Sequence, residues 1–268
     1  MTSWADGPLL SLDLESTDRN PLVARAVTIS LVIVHPGCPK ATTLEWLVAV
    51  DEEIPSSASE VHGITTEYAR ENGSPLAGVL TELDTALREA WRPDVPLIAM
   101  NGVYDLTVLT CERERCGLEP LEITERTPVI DLFVCDKTVD RYRKGSRTLE
   151  SLCQHYGVDI GTAHNSTADA LAAARVTWKL AKRYPHLAEM DLAELHRCQS
   201  VWYREQSLSL AAYFRTSRAV EKIDRDHAAG LTTREQADEL IATLHARADD
   251  VERNADGWPM RRRVAGVP

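Results

Sequence analysis

The chain is poor in positive charge and in aromatic residues. Its 268 residues carry 30 Lys+Arg against 41 Asp+Glu, a net charge of −11, and only two phenylalanines. That balance excludes a surface built for non-specific nucleic-acid binding, but not a local site whose negative charge is offset by metal ions. No apolar run approaches the roughly 20 residues that a membrane-spanning helix needs. No basic-then-apolar segment follows Met1, so a cytoplasmic protein with no membrane partner is expected. The six cysteines, Cys38, Cys111, Cys116, Cys135, Cys153 and Cys198, form no CxxC pair and are too sparse for a disulfide framework. Reduced thiols are expected, and a structural zinc is not. At 44% apolar, the chain can fill a good-sized core and leave residues for an appendage.

The first third has the pattern of strands: Leu9–Leu14, Ala24–Val34 and Leu44–Val50, with apolar and polar residues alternating in the second. The short link Ser16–Pro21 suits a hairpin, making the first two antiparallel. Thereafter helices alternate with single strands. Helices are expected at Pro75–Trp91, Asp105–Cys116, Thr148–Tyr156 and Thr167–Tyr184, and strands at Val95–Met100 and Val129–Phe133. The expected class is α/β, a five-stranded mixed sheet flanked by helices, over residues 1–187. Residues 188–268 show no strand signal. They predict a helical hairpin extension: one helix over Asp191–Asp226, interrupted near Ser207–Ser209, and a last one over Thr233–Asn254 behind a Thr232–Glu235 capping box. Residues 255–268 are expected to be a loose tail.

Chemistry enters with the stretch SLDLESTD (11–18). Asp13 and Glu15 are two apart in a strand, so they share a face and repel each other. Crowded like charges need a cation, a shared proton or open solvent. Three further segments bear on that need. In LIAMNGVYDLTVL (97–109) a strand runs into a helix with Asp105 near its start. In AHNSTADALAAARV (163–176) Asp169 opens a long helix and His164 precedes it. In EVHGITTE (60–67) a loop carries His62. Singly, each acid reads as a helix-start residue favoured by the dipole. Jointly, four carboxylates at the ends of elements of one sheet form a set of hard oxygen donors for Mg²⁺ or Mn²⁺.

The segments LDLEST (12–17), IPSSASEVHGIT (54–65), NGVYDLTVL (101–109) and HNSTADALAAARV (164–176), in this order, resemble the DEDDh group of 3′–5′ exonucleases. The likeness is to the branch of the bacterial replicative polymerase's proofreading, or epsilon, subunit, and it covers roughly residues 8–184. It implies a ribonuclease-H-like fold and a pair of divalent ions, Mg²⁺ or Mn²⁺. Asp13, Glu15 and Asp169 would be direct ligands, and Asp105 would hold one ion through water. His164 would be the general base for the attacking water, releasing nucleoside 5′-monophosphates from the 3′ end of single-stranded or frayed DNA. Ser16 and Thr17 would face the terminal sugar with Leu14 beside them, Val61 and His62 would line the terminal-nucleotide pocket, and Asn101 and Tyr104 would stand near the penultimate nucleotide. Where the family usually has two threonines and a glycine, this chain has Ser16, Thr17 and Asp18, which puts the hairpin geometry in question.

One basic cluster, Arg141–Arg147, stands out in the acidic chain. Arg141, Arg143, Lys144 and Arg147 are candidates to draw in phosphates upstream of the cleaved end. Two other functions fit the sequence: the same chemistry on RNA or short oligonucleotides, since the metals address phosphates rather than the 2′-position, or a binding subunit that docks on a polymerase or repair complex through the C-terminal helices. The segment QSLSL (206–210) has a faint likeness to a sliding-clamp-binding pentapeptide but lacks its final aromatic.

Overall fold

The computed structural model describes residues 3–38, 40–161, 164–216 and 218–261, with backbone alone at 216, 218 and 219. Five strands form one sheet: β1 (Leu9–Ser16), β2 (Ala26–Val34), β3 (Thr42–Leu47), β4 (Leu97–Ala99) and β5 (Val129–Asp131). Their order is β3-β2-β1-β4-β5, antiparallel from β3 to β1 and parallel from β1 to β5. This is the expected mixed sheet, and it has the ribonuclease-H-like arrangement.

Between β3 and β4 come α1 (Ser56–His62), α2 (Thr66–Asn72) and α3 (Leu76–Ala90). Helix α1 forms where a loop was expected. Pro55 starts it, and Gly63, in the left-handed region at φ 76°, ends it after two turns, too short for an apolar period to show. The α1–α2 pair is anchored on β2 by Ile54 and Ala69 packing with Val27 and Val50, and by half-buried Ala58 and Ile64. Helix α4 (Gly102–Arg115) follows β4 directly and is buried over almost its whole length. Helix α5 (Leu132–Val139) starts at the end of β5, where the Asp131 side chain accepts from the N–H groups of Phe133 and Val134. The strand expected over Val129–Phe133 therefore ends at Asp131.

Helices α6 (Leu149–Tyr156), α7 (Ser166–Arg183) and α8 (Pro185–Ala188) complete this layer, with α7 laid across β1 and β2. Helix α9 (Leu192–Thr216) is continuous through Ser207–Ser209 and is followed by α10 (Arg218–Ala228) and α11 (Arg234–Arg253). The capping box of α11 is Thr233 with Gln236, one residue later than the sequence suggested.

The described residues group into two compact units, one within Met1–Gln199 and Pro259–Pro268, the other within Ser200–Trp258. The division falls inside α9, twelve residues beyond the expected boundary at 187/188, because the start of α9 packs on β5: His196 accepts from the Val129 N–H. Nor is the tail loose as far as Arg261. Thr110 Oγ1 donates to Met260 Sδ (3.1 Å) and the Arg261 N–H donates to Thr107 Oγ1 (2.8 Å), both on α4. Residues 262–268 lie outside the described residues.

Asp136 on α5 is fully buried and is the anchor of the loop before α6. Its carboxylate accepts from Arg143 (2.7 Å), from Arg147 and from the Tyr156 hydroxyl (2.8 Å). The two arginine side chains are only 12% and 10% exposed, so their charges are used inside the fold. Removing one partner of a buried ion pair costs about 3–5 kcal/mol because the other is left uncompensated. Asp136→Ala is therefore expected to lose about that much unfolding free energy in urea denaturation.

Candidate metal and catalytic centre

Strand β1 outruns its parallel partner. Its pairing with β4 ends at Ser11 opposite Ile98, whereas its pairing with β2 continues to Ser16. The last turns of β1 thus have one free edge, and this edge carries the acids. Asp13 lies opposite Ser30 of β2 and Glu15 opposite Thr28. Alternation puts all four side chains on the face covered by α7.

Hydroxyl groups dock α7 onto that face. Ser166, 1% exposed, joins its Oγ to Ser30 (2.7 Å) and Thr28 (3.0 Å), and Thr167 joins Ser30 (2.9 Å). Asn165 caps the helix by accepting from the Ala168 N–H. With its first turn fixed opposite the acid pair, α7 delivers Asp169 one turn after Ser166. Carboxylate oxygens of Asp13, Glu15 and Asp169 then all lie within 4.8 Å of one another. Sequence reading missed Thr28, Ser30 and Ser166. Each is an unremarkable hydroxyl until β2 and α7 are brought face to face.

The electrostatics follow from that crowding. Burial and then the charges of Asp105, Asp169 and Glu15 hold the Asp13 carboxyl well above the usual carboxylate range. Burial and Asp169 push Glu15 up to about 7. Asp169 is also raised by burial, against the opposing pull of His164, whose N–H donates to Asp169 Oδ2 at 3.1 Å. The other Asp169 oxygen is buried with no hydrogen-bond partner among the described residues. Three converging carboxylates, one with an orphaned oxygen, fit a divalent cation of the Mg²⁺ class.

Asp105, 4% exposed in the first turn of α4, lies outside that three-residue cluster. Its carboxylate feels the Leu14 N–H, the backbone group between the two β1 acids that β4 is too short to pair, which offsets part of the upward push of burial on Asp105. Leu14 itself has its side chain buried on the opposite face, in the core, so the expected substrate contact there comes down to its backbone.

His164, Glu15 and His62 line one cleft of 240 Å³, together with Thr28, Tyr68 and Asn165. His62 accepts from the Ile64 N–H through Nδ1 (3.2 Å), which leaves Nε2 as the donor of the neutral ring. Val61 precedes it on α1, 48% exposed and outside the cleft lining. Two described non-glycine residues have positive φ: Asn101 at 60°, which precedes the helix carrying Asp105, and His164 at 61°, which lines the cleft. Such conformations persist where surroundings over-determine them, and they concentrate at functional sites.

The hairpin after β1 tolerates Asp18. That side chain accepts from the Asn20 N–H (2.7 Å), closing the turn without left-handed backbone, so no glycine is needed there. The Tyr104 hydroxyl bonds both Ser16 Oγ and the Asp18 carbonyl, and Thr17 Oγ1 accepts from the Arg25 N–H (3.0 Å). Ser16 and Tyr104 therefore meet at the end of β1, with exposed Asn101 at the start of α4.

The basic loop does not join them. Arg183, at the end of α7, contacts His155 Nε2 (3.1 Å) and lies over the Tyr156 ring, and Tyr156 bonds the Asp136 that holds Arg143 and Arg147. At 1.5 Å per residue, Arg183 stands about 21 Å along the helix from Asp169. Of the four cations expected to meet the substrate, Arg143 and Arg147 are engaged by Asp136. Arg141 and Lys144 are exposed at that far end, beside Tyr142.

Residues 10–177 match the family model described as Exonuclease, of the RNase T type. A sequence search of curated proteins gave no match. By structure the chain is similar to Escherichia coli exonuclease I in complex with a dA16 oligonucleotide, with TM-score 0.57 and 18% identity over 67% of this chain and 42% of that one. It is similar to exonuclease I of Methylocaldum szegediense, with TM-score 0.60 and 18% identity over 74% and 45%. A third likeness is to cell-death related nuclease 4, with TM-score 0.55 and 14% identity over 66% and 64%. These identities speak for the fold, and the chain spans less than half the length of the exonuclease I structures. The family match, in contrast, covers nearly the whole sheet and every acid of the centre just described, and by it the chain belongs to the exonuclease family.

Proposed function

We propose that the chain is a metal-dependent 3′–5′ exonuclease of the DEDDh type, of the epsilon-like branch, acting on single-stranded or frayed DNA. The observation that carries this is the convergence of Asp13, Glu15 and Asp169 within 4.8 Å, one of them with an oxygen that has no partner among the described residues. Asp13, Glu15 and Asp169 would hold the ions, and Asp105 would steady the strand between the first two. When bound, a pair of divalent ions supplies a clamp on the attacking and leaving oxygens of an in-line phosphoryl displacement.

The chain's own residues do the rest. His164 has its backbone pinned by Asp169 and its side chain in the same cleft as Glu15, within reach of a water approaching the phosphate. An imidazole there would take the proton of that water as general base. His62 lines the same cleft, and its Nε2, buried with no hydrogen-bond partner among the described residues, would be the donor for a phosphate or sugar oxygen once a strand enters. The Ser16–Tyr104 pair presents hydroxyls at the rim for the nucleotides that follow. That exonuclease I, a protein of similar fold, is seen with bound dA16 supports a single strand as the substrate class.

Three outcomes are expected. Incubated with Mg²⁺ or Mn²⁺ and end-labelled single strands of DNA and RNA, the protein should shorten DNA from its 3′ end and release nucleoside 5′-monophosphates, and EDTA should stop it. Digestion from the 5′ end, or without metal, would falsify the reading. Asp13→Asn should lower kcat by about 10²–10⁴-fold, the worth of several kcal/mol of transition-state stabilisation. The same change relieves repulsion in the metal-free protein, so its metal-free Tm should rise by about 2–8 °C while the upward shift given by Mg²⁺ to the parent disappears. His164→Gln should cost about 10²–10⁴-fold in kcat with Mg²⁺ binding intact by calorimetry, and a variant as active as the parent would remove His164 from the base role.

A further inference from the structure

Strand β5 is an edge strand, so one side of its backbone lacks a neighbouring strand. Two side chains of α9 take that place. The Val129 N–H donates to His196 Nδ1 (3.1 Å), Gln199 Nε2 donates to the Val129 carbonyl (2.8 Å), and the Asp131 N–H donates to Gln199 Oε1 (2.7 Å). Gln199 is fully buried, and three residues separate it from His196, so both lie on one helix face. A buried amide with one donor and one acceptor turned to a strand edge does the work of a further strand.

The strand end fixed in this way carries Asp131, which is 1% exposed and stands between the starts of two helices. Its Oδ1 accepts from Phe133 and Val134 at the start of α5. Its Oδ2 lies at the start of α4, where a Cβ added to Gly102 would come within 3.8 Å. That Oδ2 is buried with no hydrogen-bond partner among the described residues, and the N-terminal end of α4 beside it offsets part of the upward push of burial on this carboxylate. Asn101, held at φ 60°, is the residue from which α4 departs, and Asp105 comes four residues later. Asp105, in the first turn of α4, stands where β4 has ended its pairing with β1, toward the Leu14 N–H between Asp13 and Glu15.

We propose that Asp131 and Gln199 are positioning residues of the nuclease centre. Gln199 fixes the β5 backbone, Asp131 fixes the start of α4, and α4 holds Asp105 against the strand that carries Asp13 and Glu15. Residues beyond the sheet thereby act on the metal site without touching substrate. The assignment rests on the metal-dependent nuclease reading of that centre.

The test uses full-length Asp131→Asn, Gln199→Leu and Gln199→Glu proteins, with Asp136→Ala as a control that is destabilised elsewhere. Each is titrated with Mg²⁺ by calorimetry and assayed on a 3′-labelled single strand, at a temperature where circular dichroism shows it folded. Asp131→Asn and Gln199→Leu should lose about 10–100-fold in Mg²⁺ affinity and in kcat, as when an outer support of a metal ligand is removed, with KM for the strand unchanged. Gln199→Glu keeps an acceptor for the Asp131 N–H but turns a second oxygen to the Val129 and Leu195 carbonyls, so it should lose at least as much as Gln199→Leu, and Asp131→Asn carries the test should neither Gln199 variant fold. Values for Asp131→Asn within about twofold of the parent, or an equal loss in Asp136→Ala, would overturn the proposal. A parent protein that binds Mg²⁺ yet cleaves no strand would refute the nuclease reading instead, and the calorimetric comparison would still decide the positioning roles.

Discussion

Repulsion among Asp13, Glu15 and Asp169 is the constraint around which this end of the sheet is built. Three carboxylate oxygens within 4.8 Å oppose folding unless the surroundings supply positive potential. The metal-free chain supplies only a little: the Leu14 N–H to Asp105, the His164 N–H to Asp169, and the N-terminal ends of α4 and α7 aimed at the acids that open them. The upward shifts of Asp13, Glu15 and Asp169 show that this falls short. The unbalanced negative potential is what gives the site affinity for a divalent cation.

A site under such stress needs a frame that does not yield, and the ion pairs of the frame stand away from it. Arg25 bridges buried Glu112 and exposed Asp51 and Glu52, while Glu112 also accepts from the Ala26 N–H at the start of β2 (2.9 Å). Arg113 pairs with Asp84 and donates to the Glu119 carbonyl (2.6 Å). Asp136 collects two arginines and a tyrosine at the far end of α7. In each of these the buried charge has an opposite partner. Nearer the acids the links are hydroxyls instead, Ser166 to Thr28 and Ser30, which fix α7 without adding a cation that would compete with a metal.

Much of this was legible in the sequence because it rests on local periodicity. The alternation of Val27, Ile29 and Leu31 with Thr28 and Ser30, and the 3-1-3-4 spacing of Leu76, Val79, Leu80, Leu83 and Leu87, report burial directly, and β2 and α3 formed where those patterns lie. The acid pair was legible for the same reason, since two carboxylates on one face of a strand conflict with its apolar neighbours. What escaped notice depends on contacts between distant residues. Asp131 read as one more strand residue because α5 is too short for its period to emerge. Arg143 and Arg147 read as surface charge because nothing in the run Leu132–Val139 marks Asp136 as its buried member. His196 and Gln199 are ordinary polar residues on a helix until a strand edge is placed beside them.

The two edges of the sheet explain why the chain treats its ends so differently. At β3 the edge is left to solvent and blunted by polar side chains, with Thr42, Thr43 and Glu45 all exposed. At β5 the same treatment is not open. That strand has three residues, its last residue carries the buried carboxylate that meets both α4 and α5, and water on its free edge would let the strand end fray. A sixth strand would close the edge, but it would also commit more chain to the sheet next to the acids. Side chains from a helix close it with three hydrogen bonds and leave the cleft on the opposite side of β1 unobstructed. The start of α9 therefore belongs with the sheet by physical necessity, and a chain cut at residue 187 would lack the groups that complete β5.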